Sequence, residues 1–326
     1  MNLLNFNQIP FDESVFRLFK KYAQNNSDLA KQSNYAFKIA APLREKACII
    51  FKIGKSLGIT HKTLKQIAFV SELMTSTSLT IDDVFDKSLL RENKPSLYNK
   101  IGEERTYYTS EFMYGIMFKV LFSLSDDIKC RSIINNFIES YLNIQKGQYL
   151  TCSYKNKLKT LTPEFMDELA YLKVGSHTES STSAPAYLTN NKQLINSFGL
   201  FGKYLGIALM HRNDISDFCW TKDEIGRDGF EDLFDSKPNL VLAYFLKNQT
   251  TNPVEKKIII SVWEGNNKNN ISRIKIKNII NKSGSIDLAR KHLEKICNKA
   301  KTSLDQIKDN KLKKDLFKII AIVQNI

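Results

Sequence analysis

The clearest chemical signal in this sequence is an acidic cluster at the end of an apolar segment. Its members are Asp82, Asp83 and Asp86, and a helix places residues three and four positions apart on one face. Carboxylates at that spacing repel one another. Mg²⁺ relieves such repulsion, because it binds oxygen ligands and typically takes one or two carboxylates together with substrate phosphates. The pattern predicts a metal site with Asp82 and Asp86 as ligands, although a lone DxxxD also fits a solvated helix end.

A second cluster lies on another long, mostly apolar segment. Asn213 and Asp217 are four positions apart, with Asp214 between them, so a helix brings Asn213 and Asp217 to one face. Two such clusters on apolar helices favour metal binding over two solvated helix ends. We therefore expect Asn213, Asp214 and Asp217 to serve metal ions.

Basic residues accompany both clusters. They are, in chain order, Arg91, Lys173, Arg227 and Lys237. Each alone fits an ordinary surface charge. Together with two carboxylate clusters they complete what a diphosphate bridged by Mg²⁺ requires, because the carboxylates hold the metal ions and Arg or Lys neutralises the remaining phosphate charge. We therefore expect a small diphosphate as the ligand.

Helical patterns run through almost the whole chain and must position these residues. Apolar residues recur at helical spacing in residues 14–23, 35–57, 62–84, 107–124, 129–148, 163–183, 193–217 and 287–306. The expected loops are residues 88–104, 151–162, 221–239 and 264–270. Residues 258–263 fit either a strand or a buried helix. No linker rich in Pro, Gly or Ser divides the chain, so we expect a single all-α domain over residues 1–326.

The charge and composition of the chain indicate which classes of partner and which cellular location to expect. With 48 Lys and Arg against 34 Asp and Glu, the 326-residue chain carries a formal charge of +14, which suits a polyanionic partner. The lysines are spread along helices and are not interleaved with aromatic residues, so we expect no nucleic acid partner. No window reaches the roughly 18 apolar residues of a membrane span. The five cysteines form no CxxC pair, so we expect a reducing, cytoplasmic location.

The motifs resemble those of the trans-prenyl diphosphate synthases over roughly residues 35–305. The first motif of that family is E-L-x-H-x-x-S-L-x-x-D-D-x-x-D, followed by R-R-G-x-P, and residues 72–86 and 91–95 resemble these two patterns. Further matches follow in the family's order at Gly147-Gln148, Lys173, Leu205-Gly206, residues 213–217, Gly226-Arg227, Asp232-Leu233 and Lys237-Pro238. Two acidic clusters, a following Arg and an intervening Lys make the resemblance specific.

The resemblance implies a class I isoprenoid synthase fold, in which antiparallel helices form a bundle around a deep central cavity. Both acidic motifs would face each other at its mouth and hold three Mg²⁺ ions, and an allylic prenyl diphosphate would lose pyrophosphate there. The residues implied to be catalytic are Asp82, Asp83, Asp86, Lys173 and Asp214. Those implied to bind the diphosphate are Arg91, Lys173, Arg227, Lys237 and Arg44. The family also implies a homodimer.

The acceptor site departs from the family pattern. Chain-elongating members hold isopentenyl diphosphate with the Lys and Arg of G-K-x-x-R, a His or Gln before the first motif and the second Arg of R-R-G-x-P. The matching residues here are Ala41, Arg44, Thr75 and Glu92, so three of the four ligands are absent. Each lost charge-assisted contact costs about 1.5–3 kcal/mol.

We therefore expect a terpene synthase, a lyase in which the allylic cation attacks itself. The alternative is a prenyltransferase, either a chain-elongating polyprenyl diphosphate synthase or an enzyme that prenylates another acceptor. A non-catalytic partner subunit has little reason to retain both acidic clusters.

Four residues are expected to shape the substrate cavity. Thr77 and Ser78 match the positions that set chain length in the family, and their small size predicts C15 or C20 substrates. Phe112 is a candidate for stabilising a cation, although ordinary core packing is the better explanation for it. Met210 replaces the family's Gln. His211, which follows it, fits either a diphosphate contact or solvent exposure, and the four histidines show no metal-ligand spacing.

Overall fold

The computed structural model describes residues 12–124, 128–154, 157–219, 229–248, 251–266 and 271–326. Helices dominate these residues, so the prediction of an all-α protein is confirmed. In chain order they are α1 (Asp12–Ala23), α2 (Ser27–Ala40), α3 (Glu45–Ser56), α4 (His61–Phe85), α5 (Leu97–Ile101), α6 (Glu103–Leu121), α7 (Ile128–Ser153), α8 (Pro163–Ala170), α9 (Ser176–Tyr187), α10 (Lys192–Cys219), α11 (Glu231–Phe234), α12 (Leu240–Lys247), α13 (Pro253–Trp263), α14 (Arg273–Lys282), α15 (Ser285–Thr302) and α16 (Asn310–Gln324). A 3₁₀ turn (Leu158–Thr160) precedes α8, and a π-helical turn (Tyr171–Gly175) joins α8 to α9.

Two predicted boundaries are wrong for local reasons. Residues 35–57 form parts of α2 and α3 rather than one helix, because Pro42 disfavours a helical conformation at Ala41 and Arg44 adopts a left-handed φ of 50°. The expected loop at residues 88–104 contains an antiparallel hairpin of β1 (Leu90–Arg91) and β2 (Lys94–Pro95), followed by α5. Residues 258–263 lie in helix α13.

The chain divides into two compact units, each with its own core. The first comprises Met1–Phe137 and Ser181–Ile195, and in it α4 packs against α3 and α6 around fully buried Leu64, Val70 and Met74. The expectation of a single domain stays a prediction.

The second unit comprises Ile138–Ser180 and Asn196–Ile326. Within it, α12 packs against α15, and α15 against α16. Leu240, Trp263 and Leu293 are among its buried core side chains. Within the residues that the structure describes, no helix combines the length and apolarity that crossing a bilayer requires.

Candidate active site

The first acidic cluster ends helix α4 and divides its carboxylates between the surface and the interior. Asp86 caps the helix and is exposed, Asp82 one turn earlier is half-buried, and Asp83 is only 2% exposed. The helix ends here because Lys87 takes a left-handed φ of 51°. Asp82 and Asp86 are therefore the more accessible pair of carboxylates, and carboxylate oxygens are ligands that Mg²⁺ prefers.

Asp83 binds Arg91 instead of facing solvent. The Arg91 Nη2 atom lies 2.5 Å and its Nε atom 3.2 Å from Asp83 Oδ1. Burial raises the pKa of the Asp83 carboxyl, and the Arg91 guanidinium opposes that rise. This ion pair holds a cation beside the accessible aspartates, so Asp83 serves as a positioning residue for Arg91.

The short hairpin explains both the position of Arg91 and the unusual Glu92. Arg91 ends β1, and Glu92 and Asn93 form the two-residue turn with φ values of 49° and 59°. Positive φ at both positions is what a type I′ hairpin turn requires, and Asn tolerates it well. Asn93 thus takes the place of the family's Gly, and Glu92 lies exposed at the turn.

The second cluster, on α10, has the opposite arrangement. Asp214 and Asp217 are 2% and 0% exposed, whereas Asn213 is exposed. Asp217 accepts backbone N–H bonds from Glu231 and Asp232 at 3.2 and 3.1 Å. These bonds satisfy the first N–H groups of α11, which have no partner within the helix.

Asp214 caps the next helix in the same way. Its Oδ2 atom accepts the Leu240 backbone N–H, at the start of α12, at 2.9 Å. Burial and the nearby Asp232 raise the pKa of Asp214, while the Leu240 hydrogen bond and the Lys173 ammonium lower it. Asp232 is a member of this acidic group that the sequence reasoning did not single out as a site residue.

Lys173 lies in the π-helical turn between α8 and α9. Such single turns interrupt helices frequently at functional sites. Gly147 on α7 leaves room for this lysine, since a Cβ atom there would lie 2.8 Å from Lys173 Cγ. Gly206 on α10 likewise permits close packing, because a Cβ atom there would lie 2.6 Å from Gly175 Cα. The glycines noted in the family pattern therefore have packing roles around this turn.

Arg44 points into the interior of the first unit. It is 8% exposed, donates to the Phe37 carbonyl at 2.6 Å and lies with its guanidinium 3.8 Å from the Phe37 ring centroid. Its Nη1 atom is 3.7 Å from a carboxylate oxygen of buried Glu72. In this conformation Arg44 is a structural cation, so the predicted diphosphate contact would require it to leave these partners.

The expected cavity residues lie in different surroundings. Thr77 is fully buried and Ser78 half-buried on α4, and the Ser78 hydroxyl lies 2.9 Å from the hydroxyl of Tyr114 on α6. The small side chain at position 78 is therefore matched by an aromatic ring on the neighbouring helix. Phe112 and Met210 are half-buried on α6 and α10.

Lys237 and Arg227 complete the set of predicted diphosphate ligands. Lys237 is half-buried, and its ammonium lies 3.3 Å from Asp235. Arg227 lies outside the described residues.

Of the two alternatives given for His211, solvent exposure is wrong. His211 is fully buried, and its Nε2 atom lies 2.6 Å from Asp167 Oδ1. His292 approaches the same carboxylate oxygen at 2.8 Å. Although burial raises the pKa of Asp167, the hydrogen bonds from the two imidazoles hold it below its usual range. Sequence spacing did not reveal this cluster, because its members are 44 and 125 residues apart in the chain.

Comparisons with known proteins agree with these motifs. The family model described as polyprenyl synthetase matches residues 29–281. The octaprenyl diphosphate synthase of Escherichia coli is 22% identical over 325 residues, which cover 99% of this chain and 98% of that protein.

Solved structures share the fold. A geranylgeranyl pyrophosphate synthetase from Pyrococcus horikoshii superposes with a TM-score of 0.85 at 20% identity, covering 97% of this chain and 95% of that one. A polyprenyl synthase from Caulobacter crescentus, complexed with calcium and isoprenyl diphosphate, gives 0.78 at 15% identity and covers 95% and 98%. The expected all-α isoprenoid synthase fold is confirmed, and the chain belongs to the polyprenyl synthetase family.

Proposed function

We propose that this protein is a Mg²⁺-dependent prenyltransferase acting on an allylic prenyl diphosphate. The allylic C–O bond breaks with release of pyrophosphate, and the allylic carbon joins an acceptor. With isopentenyl diphosphate as acceptor, a C–C bond forms and a proton leaves the acceptor. The observation that carries this proposal is the accessible pair Asp82 and Asp86 beside the Asp83–Arg91 ion pair, in a chain that the family model matches over residues 29–281.

The residues of the first cluster suit Mg²⁺. Asp82 and Asp86 offer two carboxylates one helical turn apart, at an exposed helix end. On α10, the exposed Asn213 offers an amide oxygen, while Asp214 and Asp217 hold the surrounding backbone. When bound, Mg²⁺ stabilises the negative charge of the departing pyrophosphate. This assignment makes Asp82 and Asp86 the principal ligands.

In this proposal, several cationic side chains bind and orient the diphosphate. We assign this role to Arg91, Lys173, Lys237 and Arg227. Arg91 is held in place by Asp83, so it is preorganised for an anionic ligand and needs little reordering when the ligand arrives. Lys173 lies in a π-helical turn, a geometry that occurs frequently at functional sites.

The names of the relatives favour a transferase over the lyase that the sequence departures suggested. The E. coli relative is an octaprenyl diphosphate synthase, and it aligns over almost the whole of both chains. The C15 or C20 chain length stays part of the proposal.

One structural observation keeps the terpene synthase as a second candidate. Arg44 is the one acceptor-site cation retained in the sequence, and it is buried against Phe37 and Glu72. Thr75 donates its hydroxyl to the Ser71 carbonyl at 3.1 Å, and Glu92 presents a negative charge at the hairpin turn. None of these three offers a ready cation to an acceptor diphosphate.

Product analysis distinguishes the two candidates. The full chain is incubated with Mg²⁺ and geranyl, farnesyl or geranylgeranyl diphosphate, with and without isopentenyl diphosphate. The transferase predicts longer prenyl diphosphates that form only when the acceptor is present. Pyrophosphate and cyclic or linear hydrocarbons formed equally without it would replace this proposal with the terpene synthase.

Three variants sharpen the product experiment. Glu92→Arg restores a cation at the hairpin turn, and a transferase that uses isopentenyl diphosphate should then show a lower KM for that acceptor. Glu111→Gln, on the exposed face of α6, is the matched control and should leave the KM unchanged. Product formation by Asp86→Ala at the wild-type rate would contradict the assigned metal site.

Homodimerisation and cytoplasmic location also remain proposals. Tyr108 on α6 and Phe122, the residue that follows α6, are 70% and 60% exposed, so this region offers apolar area to a second copy. Light scattering coupled to size-exclusion chromatography measures the mass directly, and a monomer at micromolar concentration would contradict the dimer.

A further inference from the structure

We propose that Asp167, His211 and His292 form a binding site for one divalent transition-metal ion of the Zn²⁺ type. The three residues come from α8, α10 and α15 in the second unit. The proposed site differs in ligand chemistry from both acidic clusters, which offer only oxygen atoms. It would tie three helices together.

The geometry of the three side chains converges on one point. His211 Nε2 and His292 Nε2 lie 2.6 and 2.8 Å from the same atom, Asp167 Oδ1. One ligand atom from each residue lies within 4.8 Å of the others. The two imidazole rings meet edge to face, with centroids 5.3 Å apart, and each directs its Nε2 atom at the carboxylate. Exchange of the shared protons for a cation would need only small side-chain movements.

A neighbouring hydroxyl orients one of the two imidazoles. The Tyr244 hydroxyl lies 2.8 Å from His292 Nδ1, which leaves Nε2 directed at Asp167. Metal-binding histidines characteristically have their second ring nitrogen fixed by such an outer partner. His211 is fully buried, and within the described residues its Nδ1 atom has no hydrogen-bond partner. His211 Nε2, the ring nitrogen that contacts Asp167, is therefore the atom that would bind the ion.

The donor set selects the kind of ion. Two imidazoles and a carboxylate suit Zn²⁺, Co²⁺ or Ni²⁺, whereas Mg²⁺ prefers oxygen ligands alone. An ion has a route of entry, because the Asp167 and His292 side chains are 31% and 15% exposed. On α10, His211 is two positions from Asn213, which corresponds to about 200° around the helix. His211 therefore faces the interior while Asn213 faces outward.

Metal titration of the full chain tests the site without relying on catalysis. Protein stripped with a chelator, in buffer free of Mg²⁺, is titrated with Co²⁺ by visible absorption and with Zn²⁺ by calorimetry. We expect one tight site per chain, with nitrogen-ligated Co²⁺ bands, and a higher melting temperature after one equivalent of Zn²⁺. Asp167→Asn and His292→Ala should each weaken Zn²⁺ binding roughly 100-fold, and Tyr244→Phe about 10-fold.

Two controls separate this site from the rest of the molecule. His61→Ala removes an exposed histidine elsewhere, and Asp82→Ala removes a ligand of the acidic site; both should keep tight Zn²⁺ binding. Asp167→Asn preserves side-chain shape, and circular dichroism checks that each variant is folded. Tight binding that persists in folded Asp167→Asn and His292→Ala, or that is lost in Asp82→Ala, would overturn the proposal. If the wild-type protein binds no Zn²⁺ at concentrations below about 10 µM, the three residues form a hydrogen-bonded cluster and not a metal site.

Discussion

The two acidic clusters have similar sequences and opposite environments. At the end of α4, Asp82 and Asp86 are accessible and only Asp83 is buried. On α10, Asp214 and Asp217 are buried, and the residue left exposed is Asn213. Similar spacing thus leaves two carboxylates accessible in one region and makes two carboxylates structural caps in the other.

The elements that follow each cluster cause this difference. The α4 helix ends at its cluster, and the chain turns away into a short hairpin whose Arg91 binds buried Asp83. After α10, by contrast, the starts of two further helices return to the cluster and donate backbone N–H groups to Asp217 and Asp214. Carboxylates at helix N-termini are stabilised by those N–H groups and by the helix dipole. The burial of a carboxylate therefore depends on where the next helices begin.

Removing an accessible carboxylate should have the largest effect. We expect Asp82→Ala and Asp86→Ala each to reduce pyrophosphate release by about 10³-fold, because the negative charge of the leaving group loses its metal-mediated stabilisation. The free energy of unfolding should change less than it does when a buried carboxylate is removed, because Asp86 is exposed and Asp82 is only half-buried. A coupled phosphate assay and urea denaturation measure the two quantities. Strong destabilisation without loss of activity would make the first cluster resemble the second.

Removing a buried carboxylate should reduce the stability of the fold more than it reduces activity. Asp217→Ala leaves the Glu231 and Asp232 N–H groups without their acceptor, so we expect a loss of about 3 kcal/mol in the free energy of unfolding. Asn213→Ala, four positions away and exposed, is the matched control and should be nearly neutral in urea denaturation. Unchanged stability of Asp217→Ala, combined with weaker Mg²⁺ activation, would show that Asp217 binds metal.

The sequence predicted local features well. The all-α composition, the acidic end of α4 and the N-cap of α8 by Thr162 before Pro163 all depend on neighbouring residues, and the structure contains each of them. These features follow from periodicity and capping chemistry, which act within about one helical turn.

Contacts between residues that are distant in the chain could not be predicted from the sequence. Asp214 caps a helix that begins 26 residues later in the chain. Asp167 contacts His211 and His292, which are 44 and 125 residues away from it in the chain. Arg44 matches a diphosphate ligand of the family, but it folds against Glu72. The pattern of charged residues in the sequence shows which side chains require a partner when they are buried. The packing of helices that are distant in the chain determines which residue becomes that partner.

Restoring a carboxylate at the exposed position should bring the second cluster closer to the first. Asn213→Asp adds a charged oxygen ligand, and Mg²⁺ affinity rises with the number of charged ligands. We expect the Mg²⁺ concentration for half-maximal activity to fall about 10-fold, and Asn213→Ala to raise it. A Mg²⁺ titration of initial rates measures both. If neither variant shifts the Mg²⁺ requirement, position 213 does not serve the metal.

The smallest expected effect is the pH dependence that buried Asp214 gives to stability. Its pKa is raised above the ordinary value of 3.8, mainly by burial and by Asp232, so the folded protein holds this proton more tightly than the unfolded chain does. The stabilisation from the protonated form is complete below pH 3.8 and is lost as the pH rises through the folded pKa.

Asp214→Asn keeps an oxygen acceptor for the Leu240 N–H but carries no titrating proton. The free energy of unfolding of the wild type, minus that of the variant, should therefore fall with rising pH above 3.8, by at most about 1.4 kcal/mol per pH unit. Urea denaturation of both proteins from about pH 4 to 8 gives this difference. A difference that rises with pH would mean that Asp214 is instead stabilised in its charged form, as the proposed metal ligands Asp82 and Asp86 would be, and the contrast between the two clusters would disappear.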